Sequence, residues 1–322
     1  MDIKKTPQIN GKVLERTSAF LNAKKQIKKS LELYLIFLLP FLWFIIFRYG
    51  PMYGLQIAFR DYRAVDGIWG SRWIGLANFI KFFNSYEFKR VVTNTLGIAI
   101  YNLIASFPMP IMLAIALNVS YRNKFKKVTQ YVTYMPYFIS TVVMVGIILR
   151  FLNPRIGVVN KLITALGGEA VDFMAVPEYF KSIYVWSGVW QYTGWNSIIY
   201  LAALASVSPE LHEAAMIDGA SRFKRVIYID LPGIMPTAVI LLILNCGHLM
   251  NVGFEKVFLM QNPLNLRTSQ VIATYEYSVG LKSAAANFSY ATAIGFFNSV
   301  INLILIVIVN KIAKKYTEIS LW

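Results

Sequence analysis

Residues 208–232 read SPELHEAAMIDGASRFKRVIYIDLP and lie between two long apolar runs. Ser208 is a good N-cap and Pro209 suits the first helical position, so a helix is expected to begin there. Gly219, about three turns on, is placed as a left-handed stop. Ser221 is suited to capping a second helix that ends before Pro232. Ala214 and Ala215 give the first helix a small-residue surface, with Met216 and Ile217 beside it and Glu213 offering a carboxylate to a partner cation. A helix-turn-helix with small residues at its elbow suits docking into a cleft. On pattern alone, an ordinary amphipathic loop fits as well.

The spacing decides between them. Glu213-Ala214-Ala215 is followed by three residues, Gly219, nine residues, Ile229, one residue, then Leu231-Pro232. This resembles the EAA loop of permease subunits of binding-protein-dependent ABC importers, and every fixed position is met. Seven fixed residues make a chance match rarer than ~1 in 10⁷ per start position. The resemblance implies that Glu213, Ala214, Ala215, Asp218, Gly219, Ile229, Leu231 and Pro232 form the segment through which an ATPase pushes the permease.

Composition agrees with a polytopic membrane protein: 57% hydrophobic, 15% charged, mean hydropathy +0.51. Six runs are long enough to cross roughly 30 Å of hydrocarbon, which takes ~20 residues: 31–55, 91–119, 131–151, 182–205, 233–252 and 288–310. Gly50-Pro51 is expected to kink or fray the first. Eight basic residues precede Leu31, four fall in 122–127, three in the EAA segment, and three are Lys311, Lys314 and Lys315. These short flanks place both termini and the EAA loop in the cytoplasm. The chain therefore divides into a basic N-terminal segment, 1–30, and one membrane domain, 31–322. No small-residue cleavage site follows a short apolar core near the N-terminus, so the first run is read as a retained span. The net charge of +16 lies along membrane-flanking stretches, which favours topogenic and anionic-lipid contacts over nucleic acid.

Chemistry points away from an enzyme. The sequence holds no Gly-x-x-x-x-Gly-Lys-Ser/Thr stretch, so it does not bind ATP by a P-loop. Two histidines and one cysteine leave little for a metal site, and Cys246 allows no internal disulfide. His212 reads as a loop histidine. No nucleophile elbow is present.

The resemblance extends from about Leu31 to Trp322. Gly75, Asn78 and Phe79 look like the extracellular Gly-x-x-Asn-aromatic element of sugar-importer permeases, and Asn94-Thr95 opens the second span as in that family. Tyr49-Gly50-Pro51-Met52-Tyr53-Gly54, Gly67-Ile68-Trp69-Gly70 and Gly253-Phe254-Glu255-Lys256-Val257-Phe258 are similar to the branch handling larger oligosaccharides and polysaccharide fragments. Unlike the maltose type, the chain has no large folded insertion between spans.

Polar groups inside spans are costly and tend to face a cavity or another helix. In the fourth run Gly188, Gln191, Tyr192, Trp195 and Ile199 share a face at helical spacing, while Trp186, Trp190 and Thr193 lie opposite; Asn196 is also counted among the pathway residues. Rings can stack on pyranose faces while amides bond hydroxyls. Packing alone also explains aromatic residues in a span, so Trp195 divides evenly between the two roles. In the fifth run Asn245, His248, Val252 and Glu255 share a side, with Asn251 adjoining. The maltose-type resemblance implies substrate contact at Gly188, Gln191, Tyr192, Trp195, His248, Leu249 and Val252. That pattern has asparagines where this chain has Gly188, Leu249 and Val252. Thr95, Asn102 and Ser106, and separately Asn298 and Asn302, are read as interhelical hydrogen bonds.

The expectation is an all-α membrane protein of six transmembrane helices with the type I ABC importer permease fold. It is a non-enzymatic subunit importing oligosaccharides or polysaccharide fragments. Its partners would be a second, homologous permease, an ATPase dimer carrying ATP and Mg²⁺, an extracytoplasmic solute-binding protein, and the lipid of a bacterial cell membrane. No cofactor is expected in this chain. A permease for another small solute, or a secondary transporter or channel, is the alternative; the first calls for paired basic residues in the spans and the second for intramembrane acidic ion sites.

Overall fold

A computed structural model describes residues 29–283, 285–317 and 320–321; most of the basic segment 1–30 lies outside the described residues. The described residues divide into two compact units, one before and one after the boundary between Gln56 and Ile57. Helix α1, Leu31–Phe59, has no buried residue between Leu31 and Met52, which suits a surface bathed in lipid or covered by another chain. Its expected irregularity is a π-turn over Ile45–Tyr49 just before Pro51 and a 3₁₀ stretch over Tyr53–Phe59.

The larger unit is helical apart from the hairpin β1 (Arg60–Asp61) and β2 (Arg72–Trp73), in which Arg60 pairs with Trp73. The guanidinium of Arg60 donates to Ser71 O at 2.9 Å and lies over the Trp69 and Trp73 rings. Helix α2, Ala77–Phe83, follows. Asn78, only 7% exposed, donates to Ala58 O at 2.8 Å, and Phe79 packs with Phe59 and Phe296. The Gly-x-x-Asn-aromatic element is thus a clamp, with Gly75 at φ +60° turning the chain into it.

The main helices are α3 (Tyr86–Val119), α4 (Asn123–Phe138), α5 (Thr141–Phe151), α6 (Val158–Ala165), α7 (Pro177–Ala205), α8 (Pro209–Ile217), α9 (Arg222–Gly247), α10 (Phe254–Met260), α11 (Ile272–Tyr277) and α12 (Phe288–Thr317). Among the described residues α1, α3, α9 and α12 are long and apolar enough to cross a membrane, and α4 with α5 makes a fifth candidate if the bent pair is one span. α7 runs 29 residues, about 43 Å. Its polar and amphipathic side chains keep it from reading as continuously apolar.

α7 is the hub, packing against α3, α4 and α9, while α9 packs on α12. One core joins Ile98, Met144, Phe180, Val257 and Met260; another joins Ala114, Tyr200, Leu204, Ile234 and Ala238. Three expectations are corrected here. The run 131–151 is not one straight helix: α4 and α5 meet at 102°, because Pro136 lacks a donor and Ser140 caps α5 by accepting from Val143 N–H. The helix opened by Ser221 does not stop before Pro232. It continues through a π-turn at Val226–Asp230 as the rest of α9, and the changed bond register there accommodates the missing Pro232 donor. The fifth run does not stay helical to Val252 but ends at Gly247. His248 and Leu249 N–H close the last turn on Asn245 and Cys246 carbonyls, and Asn302 Oδ1 accepts from Met250 N–H at 3.0 Å.

Candidate functional site

At one end of the bundle α8 stands out from the core with none of its residues buried. Ser208 accepts from Glu210 N–H at 3.2 Å, as its N-cap role predicts. Gly219 adopts φ +73°, and Ala220 N–H to Ala215 O at 2.8 Å with Gly219 N–H to Met216 O at 3.1 Å closes the helix as a Schellman motif. Glu213, Ala214, Asp218 and Gly219 are exposed and Ala215 is half-buried. Leu211, Met216, Ile217 and Phe223 are also exposed, giving an apolar ridge around one carboxylate.

The rest of the motif anchors this ridge. Leu231 packs with Tyr200 and Leu204 of α7, while Ile229 and Pro232 line a cavity of about 360 Å³ with Ser208, Leu211 and Tyr228. Asp230, 2% exposed, accepts from Asn118 of α3 at 3.4 Å, and its carboxylate meets His212 Nε2 of α8 at 3.3 Å. His212 is therefore a hinge contact joining α8 to α3 and α9, not a bystander in the loop. A push on α8 has a direct route into two long helices.

Along the middle of α7 lie three cavities of about 180, 250 and 310 Å³. Asn102 lines all three; Gly188 and Tyr192 join the second to the third, and Asn245 joins the first to the second. Asn196 and Ile199 line the second, His248 and Asn251 the first, and Glu255 the third. Seven of the nine expected pathway residues thus line these three adjoining cavities: Gly188, Tyr192, Asn196, Asn245, His248, Asn251 and Glu255. Glu255 belongs to α10 rather than to the helix bearing Asn245, so the turn after Gly247 brings it in. Asn251 is also held: its Oδ1 accepts from Asn298 at 3.1 Å and Asn302 at 3.0 Å.

Gln191 and Trp195 are placed elsewhere. Gln191 is 3% exposed and donates to Ile139 O at 2.9 Å across the α4–α5 break. Trp195 stacks on Tyr137, centroids 4.2 Å apart and planes 3° from parallel, with Phe138 edge-on. Both brace the break. Two lining residues that sequence reading assigned to interhelical bonds, Asn102 and Ser106, face the space instead. Their clustering on one face was the available signal. Thr95 does make a contact between elements, accepting from Ile272 N–H at 3.0 Å. Also unexpected is Lys256, 8% exposed, whose Nζ donates to Tyr184 O at 2.9 Å and sits 4.7 Å from the Tyr184 ring centroid. Burial pushes its pKa down to about 8.

A helical membrane bundle with an exposed docking helix tied to a polar internal space is the architecture of a transport component. Residues 106–318 match the family "Binding-protein-dependent transport system inner membrane component". The chain belongs to that family: it is a multi-pass inner-membrane permease subunit of an ABC transport system and not an enzyme. It is 42% identical to Protein LplB of Bacillus subtilis, over 92% of each chain. It is 41% identical to the polygalacturonan/rhamnogalacturonan transport system permease protein YteP of the same organism, over 89% of this chain and 88% of YteP. A chain in the crystal structure of a bacterial ABC transporter that imports the acidic polysaccharide alginate superposes with TM-score 0.85 and 39% identity, covering 92% of this chain and 99% of that one. That transporter has also been solved with an alginate pentasaccharide-bound periplasmic protein.

Proposed function

We propose that the chain imports oligosaccharides or polysaccharide fragments by alternating access, driven by ATP hydrolysis on a separate subunit. The observation that carries this is the group of adjoining cavities walled by Asn102, Tyr192, Asn196 and Asn245, which offers amides and a phenol to hydroxyls and a ring face to a pyranose. The Glu213–Ala215 helix, linked through His212 and Asp230 to α3 and α9, would deliver the stroke. Only a differential affinity of the ATPases for two permease states can drive such a switch.

Six spans are the reading the lengths favour: α1, α3, the bent α4–α5 pair, α7, α9 and α12. Basic flanks favour both termini and α8 in the cytoplasm of a bacterial cell. The working assembly would contain a second permease of a different sequence, two ATPases binding ATP and Mg²⁺, and an extracytoplasmic binding protein; this chain needs no cofactor of its own. The complete complex in proteoliposomes should take up labelled oligogalacturonate or maltooligosaccharide only with ATP and the binding protein present. Uptake that continues without ATP would refute the reading and favour a channel or a secondary transporter.

A further inference from the structure

We propose that Lys256 seats the carboxylate of an acidic sugar in the pathway, so that the substrate class is a uronate-containing oligosaccharide. This rests on the oligosaccharide reading and narrows it. Lys256 is more than nine-tenths buried yet lines the cavity formed by Asn102, Thr141, Tyr184, Gly188, Tyr192 and Glu255. An ammonium has three donors, and among the described residues only one is used, on Tyr184 O. No carboxylate lies within ion-pair distance of it among the described residues. Burying a charge is costly unless it is paired and hydrogen-bonded, and a Tyr184 carbonyl and ring face compensate only part of that cost. With a pKa near 8 the group keeps most of its charge at neutral pH. The site therefore holds a cation with no carboxylate in ion-pair contact among the described residues, open to a cavity wide enough to admit one.

The surroundings select which anion. Gly188 leaves open the space above the ammonium: a Cβ there would stand 3.4 Å from Nζ. Asn102, Thr141 and Tyr192 line the cavity around it with neutral hydrogen-bonding groups, suited to hydroxyls rather than to a second negative charge. A single lysine without arginine partners fits a monovalent carboxylate better than a phosphate, which favours forked or multiple cations. Glu255 is on the same wall but exposed, so solvent screens its repulsion, and it is free to accept from sugar hydroxyls. A second lysine supports the assignment. Lys181, Tyr184, Gly188 and Tyr192 follow one another at three- and four-residue steps along one stripe of α7, and Lys181 is in no ion pair among the described residues. Its ammonium points across to Gly97 of α3. A chain of uronates would meet one cation in the cavity and another further along the same stripe of α7.

The test uses the complete transporter with its binding protein in proteoliposomes, supplied with trigalacturonate or its methyl ester, which has the same backbone without the charge. The binding protein is common to every arm, so a change between permease variants belongs to the permease. Lys256→Gln should raise the KM for trigalacturonate about tenfold, the size of a lost charge-assisted bond, while changing kcat and ester uptake less than twofold. Lys256→Arg should restore acid uptake. If Lys256→Gln assembles poorly, Lys181→Gln gives the same comparison on that stripe of α7, with a smaller shift confined to the acid. Equal losses for acid and ester, or unchanged acid uptake in Lys256→Gln, would overturn the proposal while leaving oligosaccharide import standing. Absence of ATP-dependent uptake of either trisaccharide by wild type, with maltooligosaccharide still taken up, would overturn this proposal alone; absence of uptake of all three would overturn both.

Discussion

At the scale of single residues, the side chains that look most like substrate contacts are divided by their neighbours. Tyr192 and Asn196 open onto the cavity, while Gln191 and Trp195, one step around α7, are committed to Ile139 and Tyr137. Between them Gly194 marks where α7 comes closest to α4: a Cβ there would fall 2.0 Å from the Thr133 carbonyl oxygen. That oxygen belongs to backbone and cannot swing away. Gly194→Ala should therefore force the helices apart and lower the thermal stability of the purified complex, by about 1–3 kcal/mol in the manner of an overpacked core. Gly146→Ala, whose Cβ meets nothing within 4 Å, is the matched control in a neighbouring helix. An unchanged melting temperature for Gly194→Ala would mean that the α4–α7 contact is looser than described. Which edge of α7 faces the space was not legible in the sequence, because periodicity defines a polar face but not the partner on each flank. The break at Pro136 decides that, and it brings Tyr137 and Ile139 over one edge.

Among the elements, α8 and its turn were the most legible. Caps are local chemistry: Ser208 and Ser221 bond N–H groups two and three residues ahead, and Gly219 takes the left-handed turn that a side chain resists. What lies beyond the turn depends on tertiary context. Pro232 looked like a helix end, yet the π-turn before it carries the helix on, and so α8, the turn and α9 form one lever. Gly219→Leu should cost about 1–2 kcal/mol at φ +73° and shift the ridge bearing Glu213 relative to α9. Insertion and abundance of the chain in membranes should stay near wild type. Substrate-stimulated ATPase activity of the assembled complex should drop severalfold, with Gly219→Asn, which tolerates the left-handed region, retaining more of it. Normal stimulation in Gly219→Leu would show that the turn's geometry does not transmit the stroke.

For the whole molecule, the membrane class was legible from apolar runs, and the departures have a common cause. Residues bordering the central space are allowed to be polar, bent or non-helical because they face other helices or a cavity rather than lipid. That explains why α7 is not continuously apolar, why α4 and α5 meet at 102°, and why α9 ends at Gly247. The proposed orientation rests on basic flanks, since lysine and arginine in short loops tend to be retained on the cytoplasmic side. Two exposed positions test it, on a background in which buried Cys246 is replaced by Ala. Val65 is 98% exposed, in the loop between β1 and β2, and Lys124 is exposed at the start of α4 in a basic turn. Ser71, although in the same loop as Val65, is only 4% exposed and accepts from Arg63 N–H, which makes it a poor probe. A cysteine at 65 should react with a membrane-impermeant maleimide in intact cells, and one at 124 only after permeabilisation. α3 joins the two positions' sides and is 34 residues long, so it must cross the bilayer between them if both results hold. The reverse labelling would put α8 outside, where no ATP-hydrolysing partner could reach it.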